Sequence, residues 1–383
     1  MKIAHVITGL ELGGAEMMLF KLLSTMDRTV FEPLVISLIP PGPMGPRIGA
    51  LGVRVETLDL RRGFPTAGAV LRLVRLLRAF RPDLIQTWMY HADLLGGLVL
   101  PLVRAGSGRP RLVWNIRQSD LDPRQTRRAT RIVARLNAGL SRLAPDRILC
   151  CSERAREVHL ALGYRRGILS VIPNGFELER FRPDAQARVA LRDALGIPAG
   201  IPLVGLVARF DPQKDLPTFL RAAALVRAAR PECRFLLCGP GMDTANPQLM
   251  GWMADARLGD AVSLLGPRAD TPRVFAALDL LVSASAYGEG FPNVIGEAMA
   301  CAVPCVVTDV GDSALIVGET GLTVPPRDPP ALAAAIECLL AEGPDALADR
   351  GRAARARIAA HYALPLIAAR YTNLYLSLNR GNR

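Results

Sequence analysis

The sequence predicts an α/β chain built as two successive doubly wound domains, and three observations carry that expectation. Strand-like and helix-like segments alternate from one end to the other, the pattern of parallel sheets with helical crossovers. The alternation pauses at Phe181-Arg182-Pro183-Asp184 and then restarts. A length of 383 residues exceeds one ordinary core. Half of the residues are hydrophobic and only 5% aromatic, which suits aliphatic helices packed on sheets.

In chain order, KIAHVIT (2–8) reads as the first strand, followed by a Gly-rich turn and a helix from about Ala15. VISLI (35–39) and VRVETLDL (53–60) read as strands, and 68–80 as an amphipathic helix with Arg72, Arg75 and Arg78 on its polar side. DLIQTW (83–88), RLVWNIR (111–117), RILCCS (147–152) and LSVIPNG (169–175) complete the first half. Then come PLVGLVARF (202–210), a helix from Leu216, CRFLLCGPG (233–241), AVSLLG (261–266), LDLLVSAS (278–285), a helix from about Pro292, PCVVTDVG (304–311), GLTVPP (321–326) and terminal helices. The expected domains are 1–183 and 184–365, with 366–383 a last helix crossing back to the first. In such sheets ligands collect outside the carboxyl ends of the strands, so two facing sheets would share one cleft.

The net charge of +12 is uneven. Residues 1–185 hold 28 Lys and Arg against 16 Asp and Glu, whereas the rest holds 19 of each. Such asymmetry points to an anionic partner of the first half: a phospholipid surface, a lipid diphosphate or a nucleic acid. A general arginine background, with Lys2, Lys21 and Lys214 the sole lysines, would not spare the second half. No recognition motif and few stacking aromatics support nucleic acid. The seven cysteines lack zinc-type pairing and read as reduced thiols of a cytoplasmic chain. Neither a signal peptide nor an 18-residue apolar span is evident.

Three segments carry chemistry. Gly13-Gly14-Ala15-Glu16 follows the first strand and opens a helix, a place where backbone amides meet an anion. An ordinary tight turn reads as well, and the spacing from Gly9 is not the dinucleotide fingerprint. Arg209 and Lys214 flank a turn beyond a strand end, where two fixed cations would neutralise a departing diphosphate; a solvated charged loop is the even alternative. The strongest segment runs from Tyr287 to Met299. Glu289 sits between two glycines, Pro292 suits a first helical turn, and Glu297 lies on the helix that follows. Amides near Phe291 to Val294 suit phosphate or sugar oxygens, and a helical carboxylate suits the vicinal hydroxyls of a ribose.

Glu289-x7-Glu297 with GFPNVIGEA, then Cys305-Val306-Val307-Thr308-Asp309 and Gly318-Glu319-Thr320-Gly321-Leu322, resembles the retaining glycosyltransferase family 4 of the GT-B fold. GGAE (13–16), IPNG (172–175) and ARFDPQK (208–214) agree in order, so the resemblance spans nearly the whole chain. It implies a nucleotide-sugar donor, UDP-linked in preference to GDP-linked, and no metal or other cofactor. Arg209 and Lys214 would bind its diphosphate, Glu297 its ribose and Glu289 its sugar. The backbone around Phe291, Pro292 and Asn293 would seat that sugar, and Gly14 would approach the phosphates. It further implies front-face attack with retention, the leaving diphosphate taking the acceptor proton. The implied acceptor is a glycan or a lipid-linked sugar of bacterial surface polysaccharide or lipopolysaccharide synthesis. A catalytically inactive nucleotide-sugar-binding partner or a GT-B epimerase is the alternative; a phosphorylase would want a pyridoxal lysine, and the second half holds only Lys214.

There are departures. Arg117 stands where many relatives carry a histidine, and His91, in Tyr90-His91-Ala92-Asp93-Leu94, matches a second histidine position. His91 is a candidate catalytic residue or a helix cap. Val310-Gly311-Asp312-Ser313-Ala314 replaces the usual Gly-Gly-x-Pro-Glu loop. Finally, Arg124, Arg127, Arg128, Arg131, Arg135, Arg142 and Arg147 alternate at helical spacing with Ile132, Val133, Leu136, Leu140 and Leu143. Such a helix either packs on the core with a solvated face or lies on an anionic membrane, placing the chain peripherally on its inner face.

Overall fold

The computed structural model describes residues 1–60, 66–103, 108–121 and 126–380. The chain divides into two compact units: Met1–Gly175 with the returning Leu364–Arg383, and Phe176–Ala363. The division falls at Gly175, before the expected exit. Phe181 is buried in the second unit, where its ring lies 6.2 Å from that of Phe275, and Asp184 caps the helix Ala185–Ala194 by accepting from the Ala187 amide at 2.8 Å.

The first unit holds strands β1 (Lys2–Ile7), β2 (Glu32–Ser37), β3 (Arg54–Thr57), β4 (Leu84–Trp88), β5 (Arg111–Ile116), β6 (Arg147–Cys150) and β7 (Leu169–Val171). They form one parallel sheet in the order β3-β2-β1-β4-β5-β6-β7. The second holds β8 (Leu203–Val207), β9 (Arg234–Cys238), β10 (Val262–Leu264), β11 (Leu280–Ser283), β12 (Cys305–Thr308) and β13 (Leu322–Val324), parallel in the order β10-β9-β8-β11-β12-β13. Both are doubly wound, so every central strand is buried on two faces. The near-continuous apolar runs in the sequence follow from this. In β8, Leu203 faces one core while Val204 and Leu206 face the other; in β1, Ile3 and Ile7 oppose Ala4 and Val6.

The last helix, Leu364–Arg380, belongs to the first unit. Ile367, Tyr371, Tyr375 and Leu378 recur every three or four residues and fill the core beside β1, β4 and β5. Tyr375 donates to Gln86 of β4, and Asn115 of β5 donates to the Tyr371 hydroxyl at 3.2 Å. These buried polar contacts fix where the helix sits, which apolar packing alone would leave free to slide.

The basic segment forms the helix Arg128–Leu140, with Arg124 outside the described residues. Val133, Ala134, Asn137 and Ala138 are its buried face, whereas Ile132 and Leu136 are exposed. Its apolar residues are thus shared between core and surface. Six of the seven cysteines are buried, and burial raises the thiol pKa of Cys150, Cys233, Cys238, Cys301 and Cys305, which makes them poor nucleophiles. Among the described residues no helix is long and apolar enough to cross a membrane.

Among the titratable groups buried in the first unit, His5, His159 and Asp93 bear on stability near neutral pH. Burial lowers His5 to about 3 and His159 to about 4, and raises Asp93 to about 8 although the Thr87 hydroxyl and the Asn115 amide favour its charged form. The histidines bind fewer protons folded than unfolded, so their contribution is lost as pH falls from about 6.5 towards these values. Asp93 is the reverse: the fold keeps its proton up to about pH 8, whereas the unfolded chain releases it near 4. Stability to denaturant should therefore peak near neutrality and fall by at most ~1.4 kcal/mol per pH unit between about pH 6.5 and 8. Asp93→Asn should flatten that alkaline limb, and an unchanged slope in the variant would assign it elsewhere.

Candidate functional site

In each sheet the strand order reverses once, at β1/β4 and at β8/β11. The connections leaving two neighbouring strands diverge there and open a crevice at their carboxyl ends. The residues singled out in the sequence collect at these two places.

In the second unit the ladder runs past β8: the Ala208 amide donates to Cys238 O at 2.9 Å and the Phe210 amide to Pro240 O at 2.8 Å. Gly239 permits this approach, because it has φ +140° and an added Cβ would run into the Ala208 carbonyl. The turn that follows is tied to itself. Asp211 accepts from the Gln213 amide at 2.9 Å and from Arg209 Nε at 3.0 Å, and Arg209 Nη2 donates to Gln213 Oε1 at 3.2 Å. Burial opposes ionisation of Asp211, but these donors and Lys214 outweigh it and hold its pKa below the ordinary carboxylate value. Arg209 is thereby fixed on an exposed turn.

Lys214 turns the other way. Its Nζ donates to Glu289 Oε1 at 2.5 Å, and the Ser285 hydroxyl donates to the same oxygen at 2.7 Å. Glu289 is buried, and the Lys214 side chain is only 16% exposed, so this is an interior ion pair. The Ala286 amide donates to Gln213 O at 2.9 Å and joins the loops after β8 and β11 through backbone. Thr308, at the end of β12, donates to Ser285 O at 2.6 Å and so places the serine. Ala208, Lys214, Ser283, Ser285 and Val294 line a small depression between these loops.

The turn 310–312, which leads into the helix Ser313–Val317, packs against the backbone of Glu289 and Gly290. Gly311 has φ +63°, an added Cβ would collide with the Glu289 carbonyl, and the Asp312 amide donates to Gly290 O at 3.0 Å. The helix begins at Asn293, so Pro292 caps it in extended conformation (ψ 111°) instead of lying in its first turn. The Val294 and Ile295 amides have no acceptor within the helix. Glu297 follows one turn along and is partly buried. Phe291 stacks on Phe176 at 6.1 Å and lies 5.3 Å from the Tyr362 ring, while Gly296 leaves room for the Phe176 ring.

In the first unit the turn after β1 leads to Gly13, the cap of the helix Gly14–Thr25. Burial and Glu11 raise the pKa of Glu16, while its own amide and Arg117 oppose the shift. Arg117, just beyond β5, donates to Asn174 and lies 5.9 Å over the Trp88 ring; its Nη1 is buried without a hydrogen-bond partner among the described residues. His91 is exposed in the first turn of the helix Tyr90–Val99, and desolvation keeps its pKa below the ordinary value, so it is neutral near pH 7. Met89 before it has φ +74°, costly for a side chain with a Cβ, and is held by its amide bond to Asn115 O at 3.0 Å. Sequence reasoning missed Ser285, Gly311 and Asn174 as site residues. Their roles depend on strand neighbours distant in the chain; the available signals were a serine closing an apolar strand and the segments IPNG (172–175) and 310–314, which hold Asn174 and Gly311.

Two doubly wound units, each with glycine and charged turns at its reversal point, define the GT-B class. Residues 12–180 match the family described as Glycosyltransferase Family 4, and residues 201–342 match glycosyl transferases group 1. The chain belongs to glycosyltransferase family 4. It is similar to the Escherichia coli UDP-Gal:alpha-D-GlcNAc-diphosphoundecaprenol alpha-1,3-galactosyltransferase, with 26% identity over 66% of this chain and 64% of that one. It is also similar to the D-inositol 3-phosphate glycosyltransferase of Thermobispora bispora, with 36% identity over 56% and 52%. The matched stretches thus span between about half and two thirds of these relatives. Among solved structures, Anabaena Alr3699/HepE in complex with UDP superposes with a TM-score of 0.85 at 24% identity, covering 98% of this chain and 100% of that one.

If Gly311 sets the Glu289 loop, Gly311→Ala should destabilise the second unit by about 1–3 kcal/mol, as strained backbone does. Gly343→Ala, at φ +85° with open space around it, meets only the backbone term. Equal midpoints of denaturant unfolding for the two variants would show that this packing bears no strain.

Proposed function

We propose that this chain transfers a hexose or N-acetylhexosamine from a UDP-sugar to a glycan or lipid-linked acceptor, with retention of anomeric configuration and without a metal. The observation that carries the reading is the joining of Lys214, Ser285 and Glu289 at the β8/β11 reversal, beside the turn that fixes Arg209. In that reading the second unit holds the donor. Arg209 and Lys214 stabilise the charge that grows on the diphosphate as its bond to the anomeric carbon breaks. The acceptor oxygen bonds that carbon on the same face, and its proton passes to the departing phosphate oxygen. Glu289 orients the sugar with the backbone of Phe291, Pro292 and Asn293, and Glu297 takes the ribose.

The first unit takes the acceptor, with His91 and Arg117 at its reversal point and Gly14 offering a helix-start amide to phosphate. A similar structure was solved with UDP-glucose, and a relative is named for a diphosphoundecaprenol acceptor; both favour these substrate classes. The setting we propose is bacterial surface polysaccharide or lipopolysaccharide synthesis at the cytoplasmic face of an anionic membrane, which the excess charge of the first half suits.

Among nucleotide sugars, a UDP-hexose should raise the melting temperature most. Glu289→Gln and Lys214→Ala should each lower transfer by about 10²-fold or more, the scale of losing one preorganised electrostatic contact. Full transfer by both variants would remove the site assignment. Activity should persist in EDTA, and strict dependence on an added divalent ion would overturn the metal-free reading.

A further inference from the structure

The amino ends of β5 and β6, the rim opposite the reversal-point turns, carry a second feature. Arg109, Arg111, Arg147 and Arg165 line a concavity of ≈ 440 Å³ together with Asp146 and Leu143. The one acid is already engaged: Asp146 holds Arg111 Nη1 at 2.9 Å and the Leu112 amide at 2.8 Å. Arg109 and Arg147 each donate to a neutral carbonyl, Ala144 O at 2.6 Å and Asp146 O at 2.8 Å. Neither contact cancels charge. Arg109, Arg147 and Arg165, none of them paired with an acid among the described contacts, therefore border one concavity, a place that favours an anion. The fork of N–H groups on arginine matches phosphate oxygens.

The second observation is apolar. Leu143, lining the same concavity, is 81% exposed, and it continues the exposed row of Ile132 and Leu136 on the helix Arg128–Leu140. Exposed Arg128, Arg135 and Arg142 flank that row. A soluble anion has no use for three leucine-type side chains in water. A phosphate carried on a hydrocarbon chain satisfies both features, with oxygens on the arginines and acyl carbons against the row.

We infer that this concavity is a binding site for the phosphate of an anionic phospholipid headgroup, with Arg109, Arg147 and Arg165 as its ligands and Leu143 at its lipid-facing lip. The site is separate from the donor and acceptor residues, and for its occupant it rests on the membrane reading above.

The test is co-sedimentation of the full chain with phosphatidylglycerol–phosphatidylcholine vesicles and with pure phosphatidylcholine. Wild type should bind only the anionic vesicles. The triple variant Arg109→Gln/Arg147→Gln/Arg165→Gln should bind them more than roughly 100-fold more weakly, beyond what three diffuse surface charges near an anionic bilayer contribute. Arg128→Gln/Arg135→Gln/Arg142→Gln, with the same charge change outside the concavity, should lose clearly less. Equal losses would overturn the site and leave diffuse attraction, whereas failure of wild type to bind would overturn the site and the membrane reading together. Inorganic phosphate that stabilises the protein thermally, with no vesicle binding, would assign a free phosphate and overturn the lipid. Retained thermal stabilisation by UDP-glucose shows that each variant is folded and tests the donor reading separately.

Discussion

A lysine and a glutamate, 75 positions apart in the chain, meet at 2.5 Å in an interior that excludes most water. Such a pair does little for stability, because the desolvation of both charges offsets their attraction; removing one partner is costly, since it strands the other. The surrounding structure is arranged to hold this contact. Ser285 donates to the same carboxylate oxygen, Thr308 holds Ser285, and a backbone bond from Ala286 to Gln213 ties the lysine turn to the glutamate loop. Strand order makes the contact attainable, since β8 and β11 are neighbours whose connections part in opposite directions.

The backbone around the pair is constrained where glycine is the residue that fits. Gly239 lets the turn after β9 support Ala208, and Gly311 lets the loop after β12 press on the carbonyl of Glu289. The Val310–Ala314 loop departs from the family pattern, yet it keeps a structural duty: it sets the loop on which the acidic side chain rides. The first unit follows the same logic with other means. There a strained Met89 opens the helix that presents His91, and Arg117 is oriented by Asn174 and the Trp88 ring.

Charge is distributed with equal economy. Cations at the carboxyl ends of the strands, Arg209 and Lys214, each have a local partner that fixes them. Those at the amino ends of β5 and β6 outnumber the single acid beside them. Four arginines of the first half, with the exposed Leu143, border one concavity at the amino ends of β5 and β6.

Much of this was legible in the sequence. Strands buried on both faces must be apolar throughout, so VISLI, RILCC and LVGLV announce themselves, and the glycines around Glu289 mark a turn that a ligand can approach. The roles expected of Glu289 and Glu297 in GFPNVIGEA, and of Arg209 and Lys214 in ARFDPQK, came from the resemblance of these segments to glycosyltransferase family 4. What the tertiary structure alone decided is which distant groups meet: Lys214 with Glu289, Ser285 beneath both, Arg117 with Asn174, and the last helix seated on the first unit by Tyr371 and Tyr375. Local pattern fixes what a segment becomes, because propensity and burial act over a few residues. Contacts across strands depend on sheet order, which no short window of sequence contains.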